Sequence, residues 1–199
     1  MLARMNRPSP GSGRIELHLP GEVGIWVFVL GDMAIFALFF AAYMVDRSVA
    51  VELYNASQQA LNRTFGVINT LLLLTSSLFV VSGVSALRAG RARVAQRLLL
   101  GAMLCGLGFA VAKVVEYGEK LGQDITPYTN GFYMYYFMLT GIHFLHLTIG
   151  MGVLVLMFRA ARQRQVTDEG LAFVECGATY WHMVDLLWIV LFPLLYFVR

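Results

Sequence analysis

Apolar positions gather into five long runs separated by short polar breaks, at residues 24–45, 65–87, 95–117, 132–159 and 177–198. A hydrocarbon core of about 30 Å takes about 20 helical residues to cross. Lipid offers no partner to a free N–H or C=O, so each run predicts an α-helix. The pattern therefore predicts an all-α fold, an integral membrane bundle of five transmembrane helices. Residues 21–199 read as one membrane domain. Between the first two runs, Val49, Leu53, Ala56, Ala60 and Leu61 recur at roughly helical spacing. That spacing allows a short interfacial helix within 46–64. Gly118, Gly122, Pro127, Asn130 and Gly131 mark 118–131 as a turn region. A polar segment, 160–176, joins the last two runs.

The second run carries Ser76, Ser77, Ser82, Gly83 and Ser85, and the third carries Gly101, Gly106 and Gly108. Small residues let membrane helices approach closely, so these two runs predict a tight antiparallel hairpin. Residues 1–20 hold Pro8, Pro10, Gly11, Ser12, Gly13 and Pro20 and read as a flexible tail. The first apolar run starts late and is full length, so no signal cleavage is expected.

Composition agrees with this pattern. The chain has 199 residues, 58% of them hydrophobic and 14% charged. A soluble domain carries about 25% charge. The net charge of +3 matters less than its placement. Alternate segments outside the runs carry ten Lys and Arg against four. The positive-inside rule then puts the N-terminus in the cytoplasm and the C-terminus outside. No folded basic surface accompanies these arginines, so nucleic acid is not an expected partner.

Ionisable residues inside a span are costly and call for a reason. Asp32 sits about 12 Å into the first run, beside Trp26 and Phe36. It reads either as a proton-exchanging acid or as a structurally paired one. Lys113 and Glu116 are three apart near the end of the third run and share a helix face. A local ion pair is the simplest reading. His143 and His146 repeat that spacing in the fourth run, and His182 and Asp185 repeat it in the fifth. A metal site built from all four would need every ligand to converge on one point. Depth argues against it: His146 should lie about 18 Å from the cytoplasmic edge and His182 only about 8 Å. Histidines bonded across helices are expected instead. The two cysteines, Cys105 and Cys176, form no C-x-x-C pattern.

The last two runs carry a specific string. Thr140-Gly141-Ile142-His143-Phe144-Leu145-His146 is followed by Glu175 and then by Tyr180-Trp181-His182-Met183-Val184-Asp185-Leu186-Leu187-Trp188. This resembles subunit III of the haem–copper oxidases, with its T-G-x-H-x-x-H helix and its Y-W-H-x-V-D-x-x-W segment. Glu116-Tyr117 resembles the family's E-Y pair. Asp32 falls where the family keeps an intramembrane carboxylate. The two extra N-terminal helices of the mitochondrial type have no counterpart here. Leu19-Pro20-Gly21-Glu22 and Gly31-Asp32-Met33 look most like the five-helix branch associated with nitric oxide reductases, the NorE type. The resemblance implies a non-catalytic accessory subunit that binds no haem or metal of its own. It implies a place in a bacterial inner (plasma) membrane, a haem-containing catalytic partner, bound phospholipid, and a role in stability and proton supply. Trp26, Tyr180, Trp181 and Trp188 are then expected to serve packing or lipid contact. Subunit III of a quinol or cytochrome c terminal oxidase is the near alternative. A proton-conducting membrane protein and a membrane cytochrome are the alternatives from other classes.

Overall fold

A computed structural model describes residues 23–163 and 167–198. The expected N-terminal tail and the start at Leu19-Pro20-Gly21-Glu22 lie outside the described residues. The described residues form six α-helices and no strand: α1 (Val23–Val49), α2 (Val51–Gln59), α3 (Arg63–Arg88), α4 (Ala92–Leu121), α5 (Gly131–Ala161) and α6 (Asp168–Tyr196). All but α2 are long and apolar enough to cross a membrane.

The helices outrun the hydropathy pattern because they continue into polar flanks that cap them. The largest difference is in α6, expected from 177 and found from Asp168. Its first turn is held by Thr167, whose side chain accepts from the Gly170 N–H, and carries Asp168 and Glu169. Acidic residues there complement the positive helix end. Asn62 and Asn130 cap α3 and α5 in the same way, accepting from Thr64 and Tyr133. A hydropathy window sees only the hydrocarbon-facing part of such helices.

Helices α3 and α4 form the expected hairpin, closed by Gly90 at φ 70°, a conformation that glycine adopts at little cost. Ser76 Oγ donates to the Ala102 carbonyl across this pair, at 2.9 Å. Helix α6 packs against α3 and α5, and α4 against α5. Helix α1 is the outlier. It buries a single stripe, Val29, Phe36 and Tyr43, and most of its other apolar residues face outward. That seven-residue spacing is the seam of a helix that meets its neighbours along one line.

The short helix α2 lies where the spacing allowed one, but its buried face differs from the expected stripe. Tyr54, Ser57, Gln58 and Leu61 are buried, whereas Val49 and Leu53 are exposed. Polar bonding decides the orientation. Asn130 Nδ2 donates to Ser57 Oγ at 3.1 Å, Gln58 Nε2 to the Leu194 carbonyl at 3.3 Å, and Lys120 Nζ to the Ala60 carbonyl at 2.6 Å. Arg47 donates to Asn55 and to the Val198 carbonyl. The carbonyls ending α6 have no intrahelical partner, and these side chains supply one. Burial and the nearby Asp46 carboxylate push the Tyr54 hydroxyl above its ordinary range.

Candidate functional site

Among the described residues, the candidate side chains fall into four polar groups within the bundle. The first joins α1 to α5. Asp32 Oδ1 stands 3.2 Å from His146 Nε2, with both side chains largely buried. His146 Nδ1 lies 2.8 Å from the Ile142 carbonyl. A carbonyl only accepts, so Nδ1 carries a proton. The contact between Oδ1 and Nε2 then needs one more proton, on the ring or on the carboxyl. Phe36 packs edge-on against the same imidazole, and Tyr180 donates to the His146 carbonyl at 3.2 Å.

The second group is the Lys113–Glu116 pair, which is buried, each residue being 1% exposed. Lys113 Nζ donates to Glu116 Oε2 at 2.8 Å and to the Tyr196 hydroxyl at 3.2 Å. Glu116 Oε1 accepts from Tyr136 at 2.8 Å and from Tyr196. The rings of Trp188, Tyr136, Tyr196 and Tyr117 stand 5.0–5.9 Å from Nζ. An ammonium over aromatic faces recovers part of the hydration it has lost. The pair is local, as its spacing indicated, but it also ties α4 to α5 and α6. Tyr136 and Tyr196 were absent from the sequence reading. Nothing in local spacing marks them, because they come from two other helices. Tyr117 bonds separately to Thr140 at 2.6 Å.

The third group centres on His143, fully buried, with Nε2 3.0 Å from the Val184 carbonyl. Trp188 packs on this ring and on Phe109, and its indole donates to Thr70 at 3.0 Å. The fourth group lies between α3 and α6. His182 Nδ1 is 2.6 Å from Ser77 Oγ, and Asp185, one turn further along α6, is buried with an Oδ1 that has no hydrogen-bond partner among the described residues. Toward the arginine-rich end, Arg88 pairs with Glu175 at 2.8 Å. Ser77 entered the sequence reading only as a small residue.

One expectation needs correction. His182 is not near the end of its helix. It lies fourteen residues after Asp168, about 21 Å along α6. Depth therefore does not separate it from His146, and direction does: His146 points to α1 and His182 to α3. Among the described residues, no three His, Cys, Asp or Glu side chains converge as a metal would require. Trp181 was expected to serve packing or lipid contact, and it serves packing. Its ring is buried, 1% exposed, and sits against Gly106 of α4 and Gly150 of α5. The longer α6 carries it into the bundle. Tyr180 stacks on Phe28, and Trp26 is half-buried near the start of α1.

The sequence matches the family described as cytochrome c oxidase subunit III over residues 16–199. It is 31% identical to cytochrome c oxidase subunit 3 of Synechocystis sp. over 174 residues, which cover 87% of this chain and 73% of that one. It is 26% identical to cytochrome bo(3) ubiquinol oxidase subunit 3 of Buchnera aphidicola subsp. Acyrthosiphon pisum, over 87% of this chain and 84% of that one. A probable cytochrome c oxidase subunit 3 of Mycobacterium bovis is 29% identical over 89% of this chain and 88% of its own length.

Proposed function

The chain belongs to the cytochrome c oxidase subunit III family, and from that premise we propose that it is a non-catalytic accessory subunit of a respiratory haem–copper oxidoreductase. One observation supports this most. Each described histidine is committed to a different neighbour: His143 to the Val184 carbonyl, His146 to Asp32 and His182 to Ser77. Side chains bonded in this way pin helices together and are not gathered on one centre. In this reading the haem and the reacting centre belong to the catalytic partner. This chain supplies a rigid helical flank, binds phospholipid along its outer faces, and supports the partner's lifetime and proton supply.

A second reading concerns the partner. The relatives are named as subunits of ubiquinol and cytochrome c oxidases, which favours an oxygen-reducing complex. The segment around Gly31-Asp32-Met33, with Leu19-Pro20-Gly21-Glu22 before it, favours the branch associated with nitric oxide reductases.

Purification through a tag on this chain tests both. The accessory reading expects a haem-containing partner to co-purify and to keep its initial turnover when this chain is removed, with loss only of sustained activity or stability. Immediate loss of turnover from a fully haem-loaded partner overturns it. Assay of the captured complex with oxygen and with nitric oxide distinguishes the two partners.

A further inference from the structure

Between the first turns of α1 and α6 lies a cleft of about 500 Å³, walled by Gly24, Ile25 and Phe28 on one side and by Glu169, Ala172 and Phe173 on the other. Both helices start on the arginine-rich side of the bundle, which the positive-inside rule assigns to the cytoplasm. Phe28 is 52% exposed and Phe173 42%. A Cβ on Gly24 would meet nothing within 4 Å. Glu169 and its neighbour Asp168 are exposed. At this end of the bundle they are the described carboxylates left outside the Arg88–Glu175 pair.

The chain leading into α1 has a pattern that suits such a cleft. After the proline, glycine and serine of residues 8–13 comes Arg14-Ile15-Glu16-Leu17-His18-Leu19, in which polar and apolar residues alternate. In an extended chain successive side chains point to opposite sides. Ile15, Leu17 and Leu19 then share one face, and Arg14, Glu16 and His18 share the other. Pro20-Gly21 follows, a dipeptide that favours a turn.

We propose that residues 14–19 dock in this cleft as an extended strap, with Ile15, Leu17 and Leu19 against Phe28 and Phe173 and with Arg14 beside Asp168 and Glu169.

Three arguments carry the proposal. The first is pattern: one apolar face meets one apolar slot, and the polar face is left to water. The second is the tether. Leu19 is five residues from Gly24, a reach of at most about 17 Å. A segment held that close has an effective concentration on the order of millimolar. The third is charge. A phospholipid chain could fill the same walls, but its phosphate would stand against the two carboxylates, and like charges repel. Arg14 supplies the opposite charge. The strap would fasten the start of α1 to α6, one turn before the buried stripe of α1 begins at Val29. This holds whichever catalytic partner the chain serves.

The test uses the full chain in lipid nanodiscs. In a background with Cys105 and Cys176 replaced by alanine, Leu17→Cys is combined with Ala172→Cys and exposed to a mild oxidant. The intramolecular disulfide is expected to form about tenfold faster or more than in the combination of Leu17→Cys with Val94→Cys. Val94 is also at the cytoplasmic end and 42% exposed, on α4. Equal rates overturn the proposal. A disulfide formed only between two copies of the chain also overturns it. A second measurement needs no variant. In the wild-type chain, with leucine methyl groups and phenylalanine rings labelled, the methyls of Leu17 and Leu19 are expected to show NOEs to the rings of Phe28 and Phe173. Methyls in contact with lipid acyl chains or water alone would mean that the cleft holds lipid instead, and the proposal fails.

Discussion

Gly150 and Trp181 meet so closely that a Cβ on residue 150 would stand 2.9 Å from the indole Cε3. The same ring lies 3.0 Å from where a Cβ on Gly106 would be. Trp181 is a ridge of α6 held between two glycine notches, one on α4 and one on α5. The ring is buried and has nowhere to move. Gly150→Ala is therefore expected to lower stability by about 1–3 kcal/mol, the range for overpacked cores. Gly152→Ala, with nothing within 4 Å of the new methyl, is the control and should be neutral. Thermal unfolding in detergent compares them, and equal midpoints would refute the packing account.

The Lys113–Glu116 pair makes a sharper demand. Removing one partner leaves the other charge buried among Tyr136, Tyr196 and Trp188. Breaking a buried pair in this way costs about 3–5 kcal/mol. Lys113→Met should therefore be severely destabilising, and Glu116→Gln similarly so. The double variant removes both charges and is expected to recover a large part of the loss. A double-mutant cycle measures the coupling. Strict additivity would mean that the two side chains do not depend on each other.

These two sites show where the sequence is legible and where it is not. The glycines at 101, 106 and 108 could be read as a close-packing face, because small residues at helical spacing declare one. Gly101 and Gly108 do meet Phe79 and Leu72 of α3, the partner that the hairpin predicts, but the partner of Gly106 could not be read, because Trp181 belongs to a helix whose start was misplaced by nine residues. Hydropathy marks where lipid contact begins, whereas Thr167 and its acidic neighbours mark where the helix begins. The Lys113–Glu116 pair was visible from its spacing of three. Its tyrosine partners come from α5 and α6, and only the assembled bundle brings them together. The Asp32–His146 contact links α1 to α5, and both residues were already suspects through depth and charge. Ser77 was hidden, since nothing in the sequence distinguishes a bridging serine from a packing one.

Topology follows from the charge count and has its own test. The α3–α4 turn carries Arg88, Arg91 and Arg93, whereas the loop after α4 lies near Lys120 alone. Reporter fusions within 88–97 and 118–131 are expected to report opposite compartments, with the first cytoplasmic. Matching signals would contradict the five-span arrangement, and a reversed pair would contradict the charge argument.

Asp32 bears most directly on the accessory role. Helix α1 is held along one narrow stripe, and its polar contacts with α5 are the bond between Asp32 and His146 and, near its C-terminal end, the one Tyr135 donates to Asp46 at 2.7 Å. The Ile142 carbonyl pins His146 Nδ1 as a donor, so the ring cannot turn to find another partner for Nε2. Asp32→Ala leaves that nitrogen unpaired, at about 1–3 kcal/mol. The loss should appear as faster amide exchange along α1, with α3 and α4 unaffected. Asp32→Asn keeps a side-chain amide that can donate to a neutral Nε2, so it should lose less. Neither change touches a cofactor in the proposed reading. Both variants are therefore expected to leave the partner's haem absorption intact while shortening sustained turnover or weakening the complex. A haem spectrum altered by Asp32→Ala, in a complex that still assembles, would place this carboxylate at the reacting centre and end the accessory interpretation.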